Sequence, residues 1–214
     1  MPQPVGPADH RPATGHPPGI GAAPGRLEPV RMFVNTLDIE LGADQLSAPD
    51  ALVSWLASYD LLPVADPGRG RASAPGPVAS PADLRRAIEL REALRGILLS
   101  HVSAGRAAAA AGPVAELRRI ARSLPVRLAI GDDGQVAAAA AGSATAAGLA
   151  AILLIAADAS VTGEWARLKV CGADDCRWAF YDRSPTRSGC WCSMRSCGAR
   201  AKSRAYRQRA SVRR

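Results

Sequence analysis

The sequence predicts an α+β fold, mostly α, in which a helical N-terminal domain with one short β-hairpin precedes a small cysteine-built finger ending in a basic helix. Three observations lead there. Apolar residues recur at three- and four-residue steps through much of residues 28–165, the spacing of amphipathic helices. One stretch of that region alternates around a turn instead, as a hairpin does. Four of the five cysteines form two matched pairs near the C-terminus, Cys171-Gly-Ala-Asp-Asp-Cys176 and Cys192-Ser-Met-Arg-Ser-Cys197.

In chain order, residues 1–27 are rich in Pro, Gly and Ala and lack the large apolar residues that offset ordering entropy, so they are read as a disordered tail. His10 and His16 fall in it as solvated side chains. The first 30 residues hold eight prolines and no continuous apolar run, which argues against a secretory signal. Met32, Phe33, Leu37 and Leu41 then recur at helical spacing, predicting a first helix interrupted near Gly42. Ser47-Ala-Pro-Asp50 reads as a cap and first turn for a helix with Leu52, Val53, Trp55 and Leu56 on its apolar face. Between Pro63 and Pro81 the density of proline and glycine predicts a loop.

Ser80-Pro81-Ala82-Asp83 is a helix start with a capping hydroxyl, a proline at the first helical position and an acid at the third. Leu84, Ile88, Arg91, Leu94, Arg95 and Leu98 follow at helical steps, with Arg91 and Arg95 expected on a solvated, salt-bridged face beside Glu89 and Glu92. Another amphipathic helix is expected over residues 114–123, through Leu117, Ile120 and Ala121. Val126-Arg-Leu-Ala-Ile130, Gly131-Asp-Asp-Gly134 and Gln135-Val-Ala-Ala138 predict the hairpin. Residues 136–157 carry no charge over 22 positions, nominally long enough to cross a bilayer. Their composition is mostly Ala, Gly, Ser and Thr, which gains little on transfer to lipid, so a strand followed by a buried helix is expected and no membrane partner.

The paired cysteines carry the chemistry. Thiols in a reduced compartment are more often metal ligands than disulfides, and two short loops each offering two sulfurs can wrap one tetrahedral Zn²⁺. The predicted ligands are Cys171, Cys176, Cys192 and Cys197, with Cys190 a bystander that could otherwise replace Cys192. Trp178, Phe180, Tyr181 and Trp191 are read as a small core around the metal, with base stacking as the alternative.

Charge is uneven. Residues 169–214 hold 12 Lys/Arg against 3 Asp, a formal +9, and residues 1–168 hold 15 Lys/Arg against 16 Asp/Glu, so the C-terminal segment supplies the whole net +8. A surface of that sign concentrates around polyanions, nucleic acid above all. The proline-free run after Cys197 predicts a helix whose Arg200, Arg204 and Arg207 share one face. With Arg195, Lys202 and Arg209 they are the candidate nucleic-acid contacts, the alternative being a solvated face that offsets the residual −2 of a four-thiolate zinc site. Asn35, Thr36 and Arg91 could line a ligand pocket between helices, against the plainer reading of a polar pair at a helix end.

No nucleophile, phosphate loop or acid pair stands out, and His101 is the only histidine of the folded part. No catalytic residue is assigned, and an enzyme is not expected.

Leu168-Lys169-Val170-Cys171, Asp175-Cys176, Phe180-Tyr181-Asp182-Arg183-Ser184, Trp191-Cys192-Ser193-Met194, Cys197-Gly198, Ala201-Lys202, Tyr206 and Arg209 together resemble the CGNR-type zinc finger of ABATE-domain proteins. The resemblance assigns the zinc ligands to the same four cysteines. The tetrad reads Cys197-Gly198-Ala199-Arg200, with Ala in place of Asn, and Gly189-Cys190 stands where arginines are usual before the Trp. Upstream, Phe33-Val34-Asn35-Thr36-Leu37-Asp38, Leu52-Val-Ser-Trp55-Leu56, residues 84–95 and Trp165-Ala-Arg-Leu-Lys169 resemble the ABATE domain. Together the matches span roughly residues 31–209.

They imply a bacterial, stress-induced transcription regulator of the cytoplasm, nucleoid-associated when bound to DNA. Its expected parts are the tail at 1–27, an effector-sensing or dimerisation domain at 28–165, a structural four-cysteine zinc finger at 166–210 and a basic tail at 211–214. DNA is the expected partner, with a small-molecule effector and a homodimer both compatible. A zinc-dependent protein–protein adaptor and an RNA-binding protein are the alternatives.

Overall fold

A computed structural model describes residues 21–63, 77–102 and 111–212. His10, His16 and most of the loop expected between Pro63 and Pro81 lie outside the described residues. The fold is α+β and mostly α. Helix α1 spans Glu28–Val34, a two-residue pair β1 (Leu37–Asp38) and β2 (Ala43–Asp44) follows, then α2 (Pro49–Ser58), α3 (Pro81–Ser100) and α4 (Ala111–Ala121). The hairpin β3 (Val126–Ile130) and β4 (Val136–Ala140) precedes α5 (Ala144–Thr162). The finger supplies β5 (Leu168–Val170), β6 (Ala179–Tyr181) and α6 (Ala199–Val212). Each strand pair is antiparallel and stands alone.

Sequence chemistry accounts for most boundaries. At the start of α3, Ser80 Oγ accepts from Asp83 N at 3.1 Å while Asp83 returns a bond to Ser80 N at 2.9 Å, the reciprocal capping expected from the sequence. Burial pushes the Asp83 carboxyl up, but the bonds from Ser80 outweigh it and hold the group below its ordinary value. Helix α5 starts on Ser143, whose Oγ accepts from Ala146 N, and stops at Gly163, which takes the left-handed φ of 76° that any Cβ would strain. It has the length and hydropathy of a membrane span, yet half of its apolar window is buried inside the fold.

Corrections concentrate near the N-terminus. The first helix ends at Val34, not near Gly42, because Asn35 and Thr36 are drawn out of helical register by partners elsewhere. Leu37 starts β1 and Leu41 lies exposed in the turn. The residue before Pro49 is Ala48, so α2 begins without a side-chain cap and Ser47 does not supply one. Residues 21–27 are not part of a loose tail. Ala23 and Leu27 are buried, and Gly21 O accepts from Tyr181 N at 2.7 Å.

The core gathers Val30 and Phe33 of α1, Leu52, Trp55 and Leu56 of α2, Leu90, Leu94 and Leu98 of α3, Ile120 of α4 and Leu149 and Ile152 of α5. Phe33 and Trp55 lie 5.2 Å apart, ring centre to ring centre, and Trp55 and Tyr59 4.7 Å. Leu168, Val170 and Ala179 of the finger's ribbon join the same core, so the finger is built onto the helices and not tethered beside them.

Candidate metal centre and basic groove

Strand β5 delivers Cys171 directly. Its N–H donates to Trp178 O at 2.8 Å, and the turn back to β6 closes through Cys176 N and Arg177 N, both bonded to Ala173 O at 3.1 Å. The second pair sits on a turn before α6. Ser193 Oγ accepts from Ser196 N, and the wide helical turn Met194–Gly198 carries Cys197 inward. Gly198 lets this turn pack closely, since a Cβ there would lie 2.9 Å from Met194 Sδ and make that side chain shift.

The four sulfurs of Cys171, Cys176, Cys192 and Cys197 lie within 4.8 Å of one another. Cys192 Sγ is 3.7 Å from both Cys176 Sγ and Cys197 Sγ. A tetrahedron of Zn–S bonds of about 2.3 Å sets its sulfurs about 3.8 Å apart, so the cluster fits the ion. Hydrogen bonds from Cys176 and then Cys192 pull Cys171 far below its ordinary pKa, while Cys176 and Cys192 are pushed up, each chiefly by its bond to Cys171. Four thiolates at this spacing coexist only around a cation. The centre is one structural zinc site, with all four positions held by protein.

Cys190 is outside it. Its Sγ approaches Ser188 O and Val102 O at 3.4 and 3.9 Å. Trp178 packs against the ligands with Trp191 beside it, whereas Tyr181 packs against the main core. The loop between the cysteine pairs is held by a buried ion pair, Lys169 Nζ to Asp182 Oδ2 at 2.8 Å. Lys169 also donates to Arg187 O and Gly189 O, and Asp182 accepts from Ser184 N and Gly189 N. Burial raises the Asp182 carboxyl, but these donors hold it far below its ordinary value.

Of the candidate nucleic-acid residues, Arg195, Arg200, Arg204 and Arg207 line one open groove of about 380 Å³ with Ser196, Ala199 and Ser203. Lys202 and Arg209 are exposed but lie outside that groove. Arg200 is partly committed already. Its Nη2 donates to Cys197 Sγ at 3.2 Å and its Nη1 to Glu40 Oε1 at 2.6 Å, and those two bonds, Glu40's first, raise its pKa. The arginine of the tetrad thus faces a zinc thiolate. Arg204 reaches Asp175 at 3.4 Å. Ala199, exposed on the groove, adds no hydrogen-bonding group there.

Asn35, Thr36 and Arg91 are brought together by the fold, but around the protein's own groups. Asn35 holds both sides of one strand residue, accepting from Ala179 N at 2.7 Å and donating to Ala179 O at 3.0 Å. Thr36 Oγ1 bonds Phe33 O and accepts from Arg91 Nη1. The solvated face expected for Arg91 and Arg95 is corrected: both are buried. Arg91 forms a two-pronged pair with Asp44, at 2.7 and 3.0 Å, and Arg95 donates to Val34 O and Arg177 O. Burial is tolerated because Arg91 has two carboxylates and a hydroxyl as partners, and Arg95 a carboxylate and backbone carbonyls. Sequence reasoning did not single out Glu40, the buried Arg31, whose Nη1 donates to Ala179 O at 3.4 Å, or the Lys169–Asp182 pair. Only the last carried a local signal, the placement of both residues in the finger's motif.

Comparison with known families fits this geometry. The model described as the CGNR zinc finger matches residues 167–210, and the ABATE model, described as a putative stress-induced transcription regulator, matches residues 27–163. No curated protein matches the chain.

Proposed function

The chain belongs to the ABATE family and ends in a CGNR zinc finger, and from that premise we propose that it regulates transcription by binding duplex DNA along the groove of α6. The observation that carries this reading is the convergence of Arg195, Arg200, Arg204 and Arg207 with two serines on a helix whose start is pinned by a zinc ligand. Guanidinium groups and hydroxyls in one groove are the contacts that position a protein on phosphates. The zinc site anchors the helix and does no chemistry, since a closed four-thiolate shell leaves no place for substrate. The helical domain is the effector-sensing part. Its state reaches the finger through Asn35 on Ala179, Arg95 on Arg177 and Glu40 on Arg200.

A second reading, a zinc module that docks on an acidic protein surface, draws on Glu40 and Asp175, which show carboxylates seated on Arg200 and Arg204. Salt dependence separates the two. Phosphate contacts release counterions, so Arg204→Ala and Arg207→Ala should each remove about one unit from the slope of log K against log salt on labelled duplex. Arg200 is left intact because it also contacts Cys197. A double variant that retains its zinc and binds duplex unchanged would rule out the groove. Tighter binding of a structured RNA than of duplex DNA would reassign the polymer.

A further inference from the structure

The β3–β4 hairpin projects an apolar face that stays largely exposed among the described residues, with only Ala140 at its base packed against the main core. The register Val126↔Ala140, Leu128↔Ala138, Ile130↔Val136 puts these six side chains on one side of the ribbon. Leu128 and Ile130 are 76% and 75% exposed, Val136 63% and Val126 49%. A lone two-stranded ribbon is marginal in water, and its apolar alternation holds register only where one face is buried. This face also carries none of the charges or prolines that keep exposed strands apart. Some partner is therefore built into the design of the hairpin.

Charge around the hairpin says which. Asp132 and Asp133 lie exposed at its tip, and Arg118 and Arg122 lie exposed at its base, at the end of α4. Among the described residues neither arginine, nor Asp132, has an ion-pair or side-chain hydrogen-bond partner. The apolar residues lie between these two charged ends, centred on Leu128. We propose that the occupant is a second copy of this chain, its hairpin packed face to face on the first, with strands antiparallel and a two-fold axis at Leu128. The operation lays each copy's acidic tip over the other's basic base, two negative charges against two positive, while Val126, Leu128, Ile130 and Val136 of both copies close on one another. A self-complementary patch of this kind is what a two-fold interface requires. The pairing involves no finger residue and does not depend on what α6 binds.

The test uses the full, zinc-loaded chain in reducing buffer, with mass followed by sedimentation velocity over a concentration series. The wild type should approach twice the 22.2 kDa of one chain as concentration rises. Leu128→Ser with Ile130→Ser should weaken association by about a hundredfold, each change counting in both copies, with zinc content unchanged and the melting temperature unchanged at dilutions where the wild type is monomeric, because both side chains are exposed in the single chain. Asp132→Arg with Asp133→Arg should abolish self-association, as should Arg118→Asp with Arg122→Asp, and mixing those two variants should restore a dimer. A wild type monomeric at every concentration overturns the proposal. So does a dimer indifferent to the Leu128 and Ile130 changes, a pair of charge variants that does not recover on mixing, or a monomer whose hairpin binds phosphatidylcholine vesicles.

Discussion

Asn35 does from a helix end what a neighbouring strand would do, accepting from Ala179 N and donating to Ala179 O in a fully buried place. Asn35→Ala would leave Ala179 N buried and unpaired, and Ala179 O with only Arg31 Nη1 at 3.4 Å. One unpaired buried group costs about 1–3 kcal/mol, so chemical denaturation should register a loss of about that size with zinc still bound. The cysteines divide just as sharply. Cys192 Sγ sits 3.7 Å from two other ligand sulfurs, while Cys190 Sγ turns toward Ser188 O. Metal analysis of protein purified without added zinc should find about one ion per chain in the wild type and in Cys190→Ser, and little in Cys192→Ser.

Helix α3 is the element through which the helical domain meets the finger. Its capped N-terminus is local chemistry, whereas His101, the residue that caps its C-terminal end, reaches across to β5, with Nδ1 2.8 Å from Leu168 O and the ring edge-on to Trp165 at 5.8 Å. Burial pushes the His101 imidazole below its ordinary value of 6.5, the bond to Leu168 O only partly opposing it. A base whose pKa is lower in the fold than in the unfolded chain takes up a proton preferentially when unfolded. Stability linked to His101 is therefore fully present above pH 6.5 and declines as pH falls from there toward the folded value. Melting temperatures taken between pH 7.5 and 5.5 should fall more steeply for the wild type than for His101→Gln. Equal slopes would mean that the fold leaves the pKa of this histidine unchanged.

Across the whole molecule, the finger and the helices share one core, and the segment before α1 helps to close it. Leu27 is 3% exposed, Ala23 is buried, and Gly21 O accepts from Tyr181 N at the finger's own strand. A chain beginning at Glu28 should therefore melt well below the full chain, losing about 2–5 kcal/mol from Leu27 alone. Restoring residues 21–27 should recover the difference. An unchanged melting temperature would show that this segment adds nothing to the fold.

Features written within a few neighbouring residues were determined by the sequence alone. The capping pair Ser80 and Asp83, the turn between Val126 and Ala140, the two cysteine pairs and the arginine spacing of α6 each need only local geometry, and spacing reports that geometry directly. The tertiary structure decided what depends on partners far along the chain. Periodicity carried the first helix past Asn35, because nothing beside that residue announces Ala179, 144 positions later. Arg91 and Arg95 have the sequence of an exposed charged face, with glutamates close by, and become interior clamps because Asp44, Val34 and Arg177 arrive from other segments. Arg200 was legible as a cation on a basic helix. Its commitment to Glu40 and to the sulfur of Cys197 appeared only when the finger was set against the turn between β1 and β2, because a long flexible side chain takes its role from whatever acceptor the fold brings within reach.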